Sequence, residues 1–600
     1  MSGHGTPFFF AFPDSAAACA VARRLCADRP ELDVIPHASG RPWIVGHWSA
    51  GELLVVRSPH LTVALIGTFG VTAADLARRV APVREPTGLD RLGLELPGQF
   101  HLLAATDGAM RVQGTAYGTR RIAWTRIAGA VVAGDRAAEL ARFAGAGPDL
   151  TSVALRLLNP LPAPFADRAM WHGVRPVPPG HCLELREGLP PRQRRWHRPP
   201  EPVLGLAEAA RDVRSTLTEA VALRTADSGL ISADLSGGLD STSLCFLAAG
   251  GPGNPKLIAC TATGDESEND DGHWARLAAE RLVDTEHFLA PASELPLFYS
   301  GAMNDGGRHD TPVGIVVSRD RVTHFIERMA ERGSRLHLTG NGGDHLFLGS
   351  AVDYHALLPT RPLLTLAALR GYRTLFGWSR RAVAGALLDR RSYRRSFAAL
   401  TTRSSGSLDP GRPSFGWLHD PVIASWFTLD CLERVEQALA EAAPTVEPLA
   451  ATRGRHHDLA GIHAGTQEMR GLEEMGRLAG VPVANPYFDD RVVDAALGAR
   501  PELRATPWAY KPLLVEAMRG IVPDRSLARR TKGDGSPEAT LGLYRHREEL
   551  AAVWEDSALA RAGLVDPDAL RRLCRTPGSP ELAYNPLTST LACEAWLRTA

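Results

Sequence analysis

The chain lacks a charge bias: 67 lysines and arginines stand against 67 aspartates and glutamates. Without a basic field to attract polyanions, no nucleic-acid partner is expected. Cysteine is scarce and scattered. Cys19, Cys26, Cys182, Cys245, Cys260, Cys431, Cys574 and Cys593 include no Cys-x-x-Cys pair, so neither a zinc knuckle nor a disulfide framework is expected. That usage suits a reducing cytosol. Long apolar runs are missing too. Phe8-Phe9-Phe10-Ala11-Phe12 is far too short to cross a bilayer and follows no basic segment, so the reading is cytoplasmic, with no membrane span and no signal peptide. No internal repeat is visible. What the chain does have is length. Its 600 residues, 44% hydrophobic and 22% charged, exceed one core and predict two or more globular domains.

The most informative stretch is Leu230 to Ala249. Leu230-Ile231-Ser232-Ala233-Asp234-Leu235 reads as a buried strand and Leu244 to Ala249 as a helix. Between them lies Ser236-Gly237-Gly238-Leu239-Asp240-Ser241. A strand feeding a glycine turn and then a helix aims free N–H groups and the positive helix end at one point, which suits phosphate. Gly237 and Gly238 admit backbone close to a ligand, and Ser236 and Ser241 add hydroxyl donors. Asp240 beside phosphates calls for Mg²⁺ between them. No Gly-Lys-Ser/Thr follows, so this is not a Walker A loop.

A second glycine turn repeats the plan. Arg335 to Thr339 reads as a strand, followed by Gly340-Asn341-Gly342-Gly343-Asp344-His345-Leu346-Phe347-Leu348-Gly349. Loops leaving the C-terminal edge of a parallel sheet share one site. Asp240 and Asp344 are therefore expected to clamp one Mg²⁺ on the phosphates of a shared ligand. Three further readings are structural. Asp489 or Asp490 caps the helix that follows. His345 is a surface histidine at a helix start. His456, His457 and His463 fall on different helix faces and have no metal-site spacing.

The Ser-Gly-Gly-x-Asp-Ser pattern resembles the pyrophosphate loop of ATP pyrophosphatases. With the second motif, the chain resembles the synthetase domain of asparagine synthetases and β-lactam synthetases. That resemblance implies Mg²⁺ ligation by Asp344 and an adenine-side role for Thr261 and Thr263. It also implies neutralisation of phosphate and oxyanion by Lys532, in the turn Arg529-Arg530-Thr531-Lys532-Gly533-Asp534-Gly535. Lys511 is a phosphate helper on the same grounds. The chain departs from asparagine synthetases at Asn341 and His345, where they carry Glu, and at Leu348, which separates Phe347 from Gly349.

The earlier part of the chain is similar to the glutaminase domain of class II amidotransferases. It shares Gly98-Gln99-Phe100, then Asp107-Gly108, then Gly118-Thr119-Arg120-Arg121, and later Gly173-Val174 to Pro178-Pro179-Gly180-His181. The family's nucleophile is an N-terminal Cys, and position 2 here is Ser. The expected fold is therefore α/β. An inactive glutaminase-like sandwich domain of the N-terminal-nucleophile (Ntn) type spans 1–195. A Pro-rich linker spans 196–205, and an ATP-pyrophosphatase domain with a parallel sheet spans 206–600.

Over nearly its whole length the chain looks like the lasso-peptide macrolactam cyclases. The resemblance implies that Mg²⁺-ATP adenylates an Asp or Glu side chain of a precursor peptide. The peptide's N-terminal amine then closes an isopeptide ring, and AMP and pyrophosphate leave. Implied partners are the precursor peptide, a leader peptidase and a leader-recognition protein. An ammonia-dependent asparagine synthetase, a β-lactam-type synthetase and a non-catalytic nucleotide- or peptide-binding scaffold are the alternatives.

Overall fold

The computed structural model describes residues 7–226, 228–251, 255–263, 269–304, 309–402, 411–530, 533, 536–576 and 586–600. Its first part is a four-layer sandwich. One six-stranded sheet runs in the order Arg175–Val177, Ile122–Ile127, Ala130–Gly134, Phe8–Ala11, Pro42–His47, Asp33–Pro36. The other runs Arg192–Arg195, His181–Arg186, Ala109–Gln113, Gly98–Thr106, Thr62–Phe69, Leu53–Arg57. All the pairings in both are antiparallel. Strand alternation sends Phe9, Ala11, Trp43 and Trp124 of one sheet against Leu103, Val112, Leu183 and Leu185 of the other. The opposite faces are covered by helices, among them Ala16–Asp28, capped by Ser15, and Ala73–Val80, capped by Thr72.

Several elements are shorter, longer or less visible in sequence than in the fold. The prolines and glycines between Trp171 and His181 read as a loop, yet the segment contains the strand Arg175–Val177, paired with Ile122–Trp124. The strands Asp33–Pro36, Pro42–His47 and Leu53–Arg57 carry too little alternation to announce themselves, and partner strands hold them. The Arg335–Thr339 strand narrows to His337–Leu338.

The second part is built on a five-stranded sheet in the order Thr285–Pro291, Lys256–Thr263, Leu230–Asp234, His337–Leu338, Val483–Ala484, parallel throughout. Leu230–Asp234 comes first in the chain; the next two strands add on one side and the last two on the other. The strand order therefore reverses between Leu230–Asp234 and His337–Leu338. Open α/β sheets hold ligands outside the strand C-termini at such a reversal.

The spine of this part is a 26-residue helix, Arg453–Leu478. Its helical signal in the sequence is weak because glycine, a poor helix former, recurs along it. Those glycines are spaces for neighbours. A Cβ at Gly454 would strike Asp353, one at Gly471 would press Val313, and one at Gly476 would strike Val483. Tertiary packing overrides propensity here.

The two parts share their cores. The apolar cluster beginning at Phe8, Phe10 and Phe12 runs on into Trp426, Trp554 and Trp596, and Ala116 and Tyr117 belong to the cluster of the parallel sheet. Polar bonds fasten the seam. The buried Asp490 carboxylate accepts from the backbone N–H groups of Ala116 at 2.6 Å and Tyr117 at 3.2 Å, and the Tyr117 hydroxyl donates to Asp494 at 2.6 Å.

Candidate active site

The two glycine loops leave adjacent strands at the reversal point and pack directly on one another. A Cβ at Gly343 would lie 2.2 Å from Asp240 Cγ, and one at Gly340 would lie 2.9 Å from Ser241 N. Only glycine permits that approach. Below the loops, His337 Nε2 meets Asp234 Oδ1 at 3.1 Å, joining the two strands at their bases. Burial alone would raise the Asp234 carboxyl; His337 beside it holds it below its ordinary value.

The first loop is internally wired. Ser236 N donates to Ser241 Oγ at 3.1 Å, the two hydroxyls lie 3.0 Å apart, and Gly238 N points at Ser236 Oγ at 3.4 Å. Gly238 caps the helix Leu239–Ala249, one turn earlier in the chain than its apolar run suggests. Gly237 has φ +73 and fits against Trp274 and Ala275, with no room for a Cβ.

Asp240 and Asp344 converge on one cation, the Lys511 ammonium. Lys511 Nζ bonds Asp240 Oδ2 and lies 2.6 Å from Asp344 Oδ1. The lysine side chain is 1% exposed, while that of Asp344 is 38% exposed. Burial alone would lower the Lys511 ammonium, but the two carboxylates hold it above its ordinary value. Its backbone is left-handed at φ +46, a conformation that costs a non-glycine residue roughly 1–2 kcal/mol. Tyr487 donates its hydroxyl to the Asp240 carbonyl at 2.9 Å, closing the site from the neighbouring strand end.

Two carboxylates facing one positive charge make a hard-oxygen donor set of the kind Mg²⁺ takes. The residues present therefore fit that ion.

Arg529 is the site residue that sequence reasoning left in its turn without a role. Its buried guanidinium donates to the Ser236 carbonyl at 3.3 Å and pairs with Asp270 at 2.7 Å and with Asp271. Asp271 also accepts from Gly533 N at 3.0 Å. The turn that carries Lys532 is thus tied to the phosphate loop, although Lys532 itself lies outside the described residues. The signal available in sequence was a doubled arginine just before a Lys-Gly turn.

Above these loops opens a cavity of about 1320 Å³. Ser236, Gly238, Asp240, Ser241, Gly340, Gly342 and Asp344 line it. So do Leu158 to Pro162 of the sandwich part, Trp417-Leu418-His419, and His456, His457 and His463 of the long helix.

One expectation is corrected. Thr261 is fully buried; its hydroxyl donates to the Leu235 carbonyl at 2.6 Å and meets His287 at 2.9 Å, while Cys260 and Ala262 line the cavity. Alternation along the strand turns Thr261 away from any adenine. His345 is exposed at a helix start, as expected; its ring also fits the gap left by Gly465, near Gly461, lies against Phe488, and borders the cavity. The histidines of the long helix also border the cavity, and no group of three or more His, Cys, Asp or Glu side chains that could hold a metal ion occurs among the described residues. Asp489 does cap, accepting from Arg491 N at 3.3 Å, and pairs with buried Arg224.

A second crevice, of about 110 Å³, lies in the sandwich part beside Phe9, Trp48, Gly67 and His101. Charged side chains crowd it. Arg120 meets Glu473 at 2.7 Å, Arg136 meets Glu474 at 2.6 Å, and Asp135 accepts from Phe9 N at 2.8 Å.

A family model described as asparagine synthase matches residues 212–598. The chain belongs to the asparagine synthase family. Membership makes it an ATP-dependent amide-forming ligase, and the matched span contains both glycine loops, Lys511 and Arg529. No curated protein matches the chain. Among solved structures, an allosteric regulatory enzyme of purine biosynthesis matches at 12% identity over 49% of this chain and 75% of its own, with a TM-score of 0.21. Glutamine phosphoribosylpyrophosphate amidotransferase from B. subtilis matches at 11% identity over 56% of this chain and 81% of its own, with a TM-score of 0.22. Among the described residues no helix is long and apolar enough to cross a membrane.

Proposed function

We propose that this family member closes a macrolactam ring in a ribosomally made peptide. ATP activates an Asp or Glu side-chain carboxylate as an acyl adenylate with release of pyrophosphate. The peptide's own N-terminal amine then attacks the acyl carbon, forming an amide and expelling AMP. The observation that carries this reading is the cavity. At about 1320 Å³ it exceeds the roughly 300–1,000 Å³ of ordinary small-molecule sites, and the two glycine loops supply only part of its lining. A nucleotide and a free amino acid leave most of it empty; a folded peptide segment fills it.

Each residue then has a role. The Ser236–Ser241 loop and the helix end behind it cradle the phosphates. Asp240 and Asp344 would hold Mg²⁺, which when bound supplies charge neutralisation at the phosphates. Lys511 holds the two acids together and stands ready beside the phosphates, and Lys532 balances the negative charge of the acyl-transfer step. Arg529 positions the Lys532 turn. Catalysis otherwise rests on holding amine and acyl group close. Ammonia has no part in this reaction, which agrees with a sandwich crevice filled by ion pairs. The reaction would run in the cytoplasm after a leader peptidase and a leader-recognition protein have freed the peptide's amine.

The test is incubation with Mg²⁺-ATP and candidate precursor peptides. The expected products are AMP, pyrophosphate and a peptide lighter by one water. Asparagine formed from free aspartate and ammonia would overturn the peptide reading in favour of a small-molecule synthetase. Absence of any ATP–pyrophosphate exchange would favour a non-catalytic scaffold.

A further inference from the structure

Charge is balanced over the whole chain but not along it. Between residues 354 and 419 there are eleven arginines and two aspartates, a local net of +9, and the remainder carries −9. From 354 to 388 there are five arginines and no acid at all. This stretch holds two helices, Pro362–Phe376 and Arg380–Leu388, which share a small apolar cluster built on Leu369, Tyr372, Trp378 and Val383.

The outward side of these helices is apolar where solvent should favour polar groups. Leu363 is 84% and Leu388 73% exposed, and Leu366, Leu375 and Phe376 are exposed as well. Leu363, Leu366 and Arg370 recur at helical spacing on one face. Pro507 and the exposed Trp508 stand against Gly371 of the same helix. The arginines around this face are uncommitted. Arg370, Arg380, Arg381, Arg390 and Arg395 are exposed and have no carboxylate partner among the described residues, whereas Arg361, Arg391 and Arg394 do.

We infer that this arginine-rich helical pair docks the protein on the surface of an anionic phospholipid bilayer. Charge complementarity calls for an anionic partner. The degree of exposure decides between partners. A peptide groove half-covers the side chains that will line it, whereas leucines standing almost free in water need a deformable apolar phase that closes around them. Leucine, phenylalanine and tryptophan flanked by arginine are the composition of helices that lie in the bilayer interface, with arginine reaching the headgroups. Such docking needs no spanning helix. It would hold the cavity near the membrane, since Trp417 in the cavity wall donates to the Arg391 carbonyl at 3.0 Å, just beyond the second helix.

The test is sedimentation of the full chain with phosphatidylcholine vesicles, with and without about one third phosphatidylglycerol. Retention on the anionic vesicles alone is expected, falling about tenfold in high salt. Two double variants, Leu363→Asp with Leu366→Asp and Arg380→Glu with Arg381→Glu, should each lose about tenfold in retention with unchanged circular dichroism and melting. Equal retention on neutral vesicles, no retention on anionic ones, or wild-type retention by both variants would overturn the inference. So would capture of a soluble polyglutamate peptide without vesicle binding.

Discussion

Two concavities are built from one chain, and the contrast between them is instructive. The sandwich crevice of about 110 Å³ is closed by the protein's own charges, which arrive from Glu473 and Glu474 of the long helix. The cavity over the parallel sheet is about twelve times larger, and in its lining two acids share Lys511. In the first, Arg120 meets Glu473 and Arg136 meets Glu474 across the seam, so these charges are compensated without a ligand. In the second, the two carboxylates border open space and share the buried Lys511 ammonium. A buried pair that satisfies itself serves stability, whereas two acids sharing one cation at a cavity edge remain beside open space that a ligand could enter.

The largest effect should come from breaking the open site. Asp240→Asn or Asp344→Asn is expected to lower ATP–pyrophosphate exchange by about a hundred- to a thousandfold. Exchange at the wild-type rate would place the chemistry elsewhere. Next is Lys511→Met. It leaves two acids facing one another and should reduce stability by about 3–5 kcal/mol, the cost of orphaning buried charge. Millimolar Mg²⁺ should recover part of that loss in a melting experiment, whereas a metal-independent melting temperature would argue against a shared cation site.

The closed crevice predicts the opposite pattern. Arg120→Met removes a pair whose side chains are 18% and 11% exposed, so about 2–3 kcal/mol of stability should go with little change in exchange. A parallel loss of exchange would show that the two concavities are energetically linked. The smallest effect concerns Asp135. Burial pushes its carboxyl up to about 7, with Arg136 opposing. Between about pH 4 and pH 7 the folded chain therefore holds a proton that the unfolded chain has released, and stability falls as pH rises through that window. Relative to Asp135→Asn, the wild-type chain should lose about 1 kcal/mol per pH unit across it. Melting curves that run parallel for the two proteins would show that this carboxyl titrates normally.

What the sequence determined by itself is local. A glycine turn between an apolar strand and a helix can be read from Ser236 to Ser241, and again from Gly340 to Asp344, because backbone geometry and residue type fix it within a few positions. Tertiary structure alone decided what those turns meet. Lys511 lies far from either loop in the chain, yet its ammonium joins their acids. Arg529 reaches the first loop from just as far away, and Asp490 holds the seam. The one-residue alternation of a strand sent Thr261 inward while its neighbours face the cavity. The glycines that hid the long helix from propensity are the ones that let His345, Asp353 and Val483 pack against it. Each of these depends on a partner distant in sequence, and no local pattern encodes the position of such a partner.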